Sequence, residues 1–361
     1  LLSDATRPPI VVREFEAATV ALTVTEAAIL CDSFGAYLTV LPDWQPGQYK
    51  LAAQQFVGTI QIGDLHIRIV PKTPAPNLFY MLTYAFDLPE LRDEVTDLLT
   101  GDDIFEFVVS VFVKRVEDLA RKGILRAYQV NEESQPYLRG RLMLREQVRN
   151  ELAAPGRFAQ ELHDFTADIR ENQILAWTLH KLAHYTYRSP VLPHRLRRVA
   201  HAFTEVALGP VRDAEFDRVV FTRLNSGYRT PLRIARLLLQ LLSIESERGQ
   251  HSFNAWLLNM NLLFEEFVAN YLAEYVDSRP ALRRRLNVTI QHAYQLSSVD
   301  SEIVNPDIVI NQDERAVAVF DTKHKVLDGK PGAEDRRQML EYCNMLRLQK
   351  GVLVYSGGSA S

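Results

Sequence analysis

At 361 residues the chain exceeds one typical domain and predicts two or three. Its 47% hydrophobic and 24% charged residues are a globular balance, which excludes wholesale disorder. Two distant cysteines, Cys31 and Cys343, exclude a disulfide scaffold and a CxxC-type structural zinc site. The formal net charge of -4 argues against a general polyanion binder, although local basic clusters stand at Arg195, Arg197 and Arg198 and at Arg283, Arg284 and Arg285. Each cluster alone reads first as solvated surface arginines.

No run of about 18 uncharged apolar residues occurs, so a membrane-spanning helix is not expected. The opening LLSDATRPP lacks the basic and apolar regions of a signal peptide, and the cytoplasm is the expected compartment. The sequence starts without Met and stops in GGSAS.

Residues 1–75 read as β. VVREF, TVALTV, AYLTVL and TIQIGDLHIRIVPK are rich in Val, Ile, Thr and Leu. Ile60 and Ile62 alternate, as do Leu65, Ile67 and Ile69, across Gly63-Asp64, which is a hairpin signal. Short strands of this kind suit a small barrel or two-layer sheet. Residues 76–250 read as a mostly helical middle region with a short β segment. IFEFVVSVFVKRVEDLARKG is a helix closed by Gly123, YLRGRLMLREQVRN a strand passing into a helix, and ENQILAWTLHKLAHYTY a long helix.

Residues 251–361 form the third expected domain. Residues 252–276 read as one amphipathic helix with Trp256, Met260, Leu263, Phe264, Phe267, Tyr271 and Tyr275 on one face. LNVTIQHAYQL, NPDIVI and RAVAVFDTK then read as strands, AEDRRQMLEYCNMLRLQK as a helix and GVLVYS as a fourth strand. The order is α-β-β-β-α-β with a mixed sheet.

Chemistry concentrates in this segment. Pro306-Asp307 opens one strand, and Asp321-Thr322-Lys323 ends the next. Alternation puts Asp321 and Lys323 on one face behind Val317 and Val319. A hairpin turning near Asp313 brings Asp307 within a rung or two of Asp321. Carboxylates converging beside a lysine suit phosphodiester hydrolysis. Their hard oxygens hold Mg2+ or Mn2+, and the lysine orients water or offsets transition-state charge. A surface ion pair would give the same DxK pattern.

The preceding helix offers Glu265 or Glu266. At 100° per residue Glu265 lies about 115° from the centre of the apolar face and Glu266 about 145°, which favours Glu265 by a small margin. The second helix lines up Asp335, Gln338 and Tyr342. Gln338 could contact the attacking water or a phosphate, or stand exposed.

Together these elements resemble the PD-(D/E)xK nuclease core. The combination LFEEFVANYL, NPDIVI, AVFDTKHK and DRRQMLEY resembles more narrowly the McrC family, the nuclease subunits of McrBC-type modification-dependent restriction systems. The upstream segments VGTIQIGDLHIRIVPK, NLFYMLTYAFDL and YLRGRLMLREQVRNELAAPGRFAQELHDFTADIRENQILAWTL extend the resemblance over nearly the whole chain.

The resemblance implies a metal-dependent DNA endonuclease subunit that stimulates McrB, an AAA+ GTPase ring. It assigns Asp307, Asp321 and Lys323 to the PD and DxK positions, Glu265 to the acidic residue of an FE motif, and Gln338 to a QM pair. It implies that Asp307, Asp321 and Glu265 hold the metal, that double-stranded DNA carrying methylcytosine is cut, and that GTP is used by the partner. The chain has no GxxxxGK[ST] loop, in agreement. The N-terminal β region would be the arm engaging the ring, with tips such as Asp43-Trp44 and Gly63-Asp64; alternatively Trp44 packs on its own sheet. His324 stands where a Tyr is expected, and either tunes the site or points to the opposite face. Two other readings remain: a non-cleaving activator of the ring, and a PD-(D/E)xK nuclease acting alone.

Overall fold

The structure is a computed structural model that describes residues 7–92, 104–150, 156–242, 253–290, 294–295, 303–313, 315–327 and 329–358. It divides into two compact units, Leu1–Asp102 with Leu241–Ser361, and Asp103–Gln240. The β-rich first segment and the last segment therefore share one unit.

That unit begins with β1 (Ile10–Arg13), β2 (Ala17–Ala21), α1 (Val24–Phe34), β3 (Leu38–Pro42), β4 (Gln48–Ala53), β5 (Phe56–Ile62), β6 (Leu65–Val70) and α2 (Ala75–Ala85). Strands β2, β4 and β3 form one antiparallel sheet, and β1 runs parallel to β6 in another. The expected hairpin is present, with Ile62 opposite Leu65 across Gly63-Asp64. Helix α1 corrects the all-β expectation. Its start is a capping box: the Glu26 N–H donates to Thr23 Oγ1 (3.2 Å) and the Thr23 N–H to Glu26 Oε2 (2.7 Å). Two donors otherwise left open at a helix start are thereby satisfied. Leu30 and Phe34 then bury against Leu38, Leu51, Ile60 and Ile67.

The second unit holds α3 (Ile104–Lys122), β7 (Ala127–Gln135), β8 (Arg141–Leu142), α4 (Leu144–Asn150), β9 (Phe158–Thr166), α5 (Arg170–Ala183), α6 (Val191–Ala200), α7 (Asp213–Asp217) and α8 (Arg229–Leu241). It carries more β structure than one short segment, because β7, β9 and β8 form a three-stranded sheet. Those strands alternate weakly in polarity, so their pairing rather than their composition identifies them. Arg195 and Arg198 are committed to Glu117 at 2.8 and 2.7 Å. That part of the first basic cluster is an ion-pair network.

The first unit resumes with β10 (Phe253–Asn259), α9 (Met260–Asp277), α10 (Pro280–Arg283), β11 (Leu286–Ile290), β12 (Tyr294–Gln295), β13 (Ile303–Val304), β14 (Ile308–Gln312), β15 (Arg315–Leu327), α11 (Ala333–Leu346) and β16 (Val352–Gly358). The single helix expected over 252–276 is corrected here: its described first third is β10, paired antiparallel with β5 from Phe253–Ile62 to Asn259–Phe56. A partner about two hundred residues away overrides the local helical period. Asn259 then caps α9, its Oδ1 accepting from the Asn261 and Leu262 N–H groups (3.1 and 3.2 Å). The two strands approach closely at Gly58, where φ is 149° and a Cβ would lie 2.0 Å from the Trp256 carbonyl oxygen. Only glycine fits. Within α9, Met260, Leu263, Phe264, Val268 and Ala269 are buried, whereas Tyr271 and Tyr275 are exposed, unlike the face expected.

Strands β11, β14, β15 and β16 form a further sheet of this unit, antiparallel except for the parallel β15–β16 pair. The expected order α-β-β-β-α-β is present as α9, β11, β14, β15, α11, β16, with the short β12–β13 ladder inserted. Val309 and Val319 bury against Met339, Tyr342 and Cys343 of α11. Val317 does not join Val319. The β14–β15 register shifts between Ile310 and Asn311, skipping Val317, and leaves it exposed.

Candidate active site

Residues of β14, β15 and α11 converge on one sheet face. Ile308 pairs with Phe320, so the next rung sets Asp307 opposite Asp321. Asp307 is fixed by its neighbour strand: Oδ2 accepts from the Thr322 N–H (2.7 Å) and the Thr322 hydroxyl (2.8 Å). Asp321 is 1% exposed. Its Oδ2 lies 2.9 Å from the Lys323 ammonium, an ion-pair contact outside hydrogen-bond geometry, and neither of its carboxylate oxygens receives a directed hydrogen bond.

Lys323 also donates to Gln338 Oε1 (2.9 Å). Gln338 in turn donates from Nε2 to the Tyr342 hydroxyl (2.7 Å), which donates to the Asn305 carbonyl (3.4 Å). The relay fixes which end of the amide faces the lysine. Gln338 and Tyr342 lie four residues apart and share a helix face, as the sequence spacing requires.

The electrostatics favour a cation. Burial pushes the Asp321 carboxyl up from its ordinary value; Lys323 pulls it down, but the charge of Asp307 pushes it up again, and the net shift is upward. Burial also raises Tyr342 to about 12, against the hydrogen bond from Gln338 and with the charges of Asp321 and Asp307, so it stays a neutral phenol. A buried, donor-poor carboxylate beside a second carboxylate fits a hard divalent ion held by Asp307 and Asp321.

A second cluster lies alongside. Asp335 accepts from Lys325 (2.9 Å) and from the Tyr355 hydroxyl (2.7 Å). Burial opposes its ionised form, but these two donors outweigh it and hold the carboxyl below the usual range. This anchors the first turn of α11 to β15 and β16, and so places Gln338.

Asp307, Asp321, Lys323 and Gln338 are thus brought together. Glu265 and Glu266 are both half-buried on α9. The α9 residue Phe264 packs 5.9 Å from the His324 ring, on the sheet face opposite Asp321. Among the described residues no three His, Cys, Asp or Glu side chains form a metal-holding group, so Glu265 does not complete a set with the two aspartates. His324 takes the opposite-face option.

The chain matches the family described as McrBC 5-methylcytosine restriction system component over residues 51–356, most of its length. It belongs to the McrBC family. The resemblance to McrC read from the sequence agrees with this membership. A curated relative, the type IV methyl-directed restriction enzyme EcoKMcrBC of Escherichia coli (strain K12), is 20% identical over 264 residues, 70% of this chain and 74% of that protein. Among solved structures, a half-complex from a tetradecameric assembly of Thermococcus gammatolerans McrB AAA+ hexamers with bound McrC is similar at a TM-score of 0.61 and 20% identity, covering 96% of this chain and 86% of that one. That likeness supports the fold. A second Thermococcus gammatolerans McrBC complex gives a TM-score of 0.48 and 20% identity, covering 73% of this chain and 87% of that one.

In this McrBC-family chain, sequence reasoning missed Thr322, Lys325 and Tyr355 as supports of the site. Thr322 and Lys325 flank the DxK motif, so proximity was a signal. Tyr355 reaches the site only through the pairing of β16 with β15. No helix among the described residues is long and apolar enough to cross a membrane.

Proposed function

We propose that this chain is the endonuclease subunit of a GTP-dependent restriction complex acting on methylcytosine-containing double-stranded DNA. Its core would be of the PD-(D/E)xK kind, working in the cytoplasm. The observation that carries this is the buried, donor-poor Asp321 beside Asp307, with Lys323 held between Asp321 and Gln338. Mg2+ or Mn2+ bound by Asp307 and Asp321 would polarise the phosphate and stabilise the leaving oxygen. Lys323 would orient the attacking water and offset negative charge gathering on the phosphate oxygens. Gln338, locked by Tyr342, would hold Lys323 in place. Water would lose a proton as its oxygen bonds to phosphorus, the bridging P–O bond would break, and the released alkoxide would take up a proton. Exposed Arg283, Arg284 and Arg285 offer basic surface to the DNA backbone.

The proposed partner is an McrB-like AAA+ GTPase ring, the kind of assembly recorded for the Thermococcus relative. Trp44 supports the arm reading: it is 83% exposed at the β3–β4 turn and does not pack on its own sheet. The absence of a three-carboxylate group among the described residues favours one second reading, a nuclease-like activator of the ring that does not cut. The test is methylated plasmid incubated with this chain, its AAA+ partner and GTP, with Mg2+ and with EDTA. Cutting only with Mg2+ and the full mixture supports the nuclease. Accelerated GTP hydrolysis with intact plasmid supports the activator.

A further inference from the structure

We propose that Glu14 and His324 are a positioning pair that sets the conformation of β15 where Asp321 and Lys323 stand. The inference rests on the nuclease reading only where cutting is the readout.

His324 Nε2 lies 2.8 Å from Glu14 Oε1, a close contact between two buried side chains, 4% and 0% exposed, that is outside hydrogen-bond geometry. The carboxylate is rooted in the N-terminal sheet. Glu14 Oε2 accepts from the Lys72 N–H (3.3 Å), and the Glu14 N–H donates to the Val70 carbonyl (3.0 Å). The imidazole is flanked by Phe264 at 5.9 Å and Phe15 at 6.4 Å. Phe15 holds a left-handed backbone at φ 58°, unfavourable for a bulky residue, in the short link that turns Glu14 inward.

The pair sits where the strand most needs it. Phe320 to Lys323 pair in step with Val352 to Tyr355, but the next pair is Val326 with Gly357. Two residues on β15 thus stand against one on β16, and the regular ladder skips His324 and Lys325 just past Lys323. Side chains hold this stretch instead: His324 to Glu14 on one face, and Lys325 to Asp335 (2.9 Å) on the other. Two apolar side chains would fill the space without the cost of burying ionisable groups, so packing alone does not explain the choice. Alternation points His324 away from Asp321 and Lys323, so the pair acts through the backbone between them.

The test uses the full chain carrying Glu14→Gln, Glu14→Ala, and the double change Glu14→Gln with His324→Gln, which can supply a neutral polar contact in place of the pair. Amide exchange is read in a peptide covering 321–326 and in one covering 48–62, with Mn2+ affinity by titration and GTPase stimulation of the partner. For Glu14→Ala we expect faster exchange confined to 321–326 and Mn2+ binding weaker by about tenfold, the scale of losses when a supporting residue of a metal site is removed. Stimulation should be unchanged, and the double variant should recover part of both losses. Wild-type exchange and affinity in all variants would overturn the proposal. So would protection lost evenly in both peptides without rescue, the mark of a merely structural role. Failure of the nuclease reading shows separately, as a wild-type complex that never cuts, and exchange in β15 still decides the pair.

Discussion

Asp321 concentrates the conflict between folding and function in one side chain. Its carboxylate is buried, receives no directed hydrogen bond, and faces the charge of Asp307. Its pKa in the folded chain is therefore raised above the unfolded value. Between those two values the folded state binds more protons, so stability falls as pH rises through that window and stays reduced above it. Asp321→Asn removes the titration but keeps an acceptor for Lys323. The variant should melt above the metal-free wild type at neutral pH, and the gap should close near pH ~4, where the wild-type carboxyl approaches protonation in both states. Mg2+ should raise the melting temperature of the wild type more than that of the variant. A variant no more stable than the wild type at neutral pH would remove the electrostatic reading of the site.

At the scale of elements, the junction of β5 and β10 carries the architecture. It ties the strand leading into α9 to the N-terminal sheet. Gly58→Ala would force a Cβ against the Trp256 carbonyl oxygen at φ 149°. A loss of about 3 kcal/mol or more is expected, combining overpacking with backbone strain, and is measurable by urea unfolding. A shift of a few tenths of a kcal/mol would mean the two strands are not held this closely. The same junction shows why the sequence was only partly legible. Asp307, Asp321, Lys323 and Gln338 could be read because strand alternation and helix spacing are local rules. Strand β10 could not, because FNAWLLN has helical-looking apolar spacing and becomes a strand only by meeting β5. Helix α1 was legible in principle from Thr23 and Glu26, but strand-rich neighbours masked it. Strands β7 and β9 expose the large apolar side chains Tyr128, Val130 and Phe165, so composition gave no warning of them. Glu265 was placed by helix angle, but the angle does not say which sheet face the helix covers.

For the whole molecule, the two proposed activities fall on separate surfaces: the β15–α11 face for cutting and the β3–β4 turn for the ring. Trp44 is the exposed aromatic at that turn, the kind of residue that dominates interfaces. Trp44→Ala, or deletion of 42–47, should weaken stimulation of the partner's GTPase by about tenfold or more while the fold is retained, since an anchor residue of this type is commonly worth 2 kcal/mol or more. Unchanged stimulation would move the ring contact elsewhere.

The most direct measurement follows both activities in one mixture: this chain as Lys323→Ala, its AAA+ partner, GTP, Mg2+ and methylated plasmid, beside the wild type. The expected result is intact plasmid with GTP hydrolysis still stimulated to the wild-type level. Plasmid cut at the wild-type rate by a folded Lys323→Ala chain would contradict the assignment of the site.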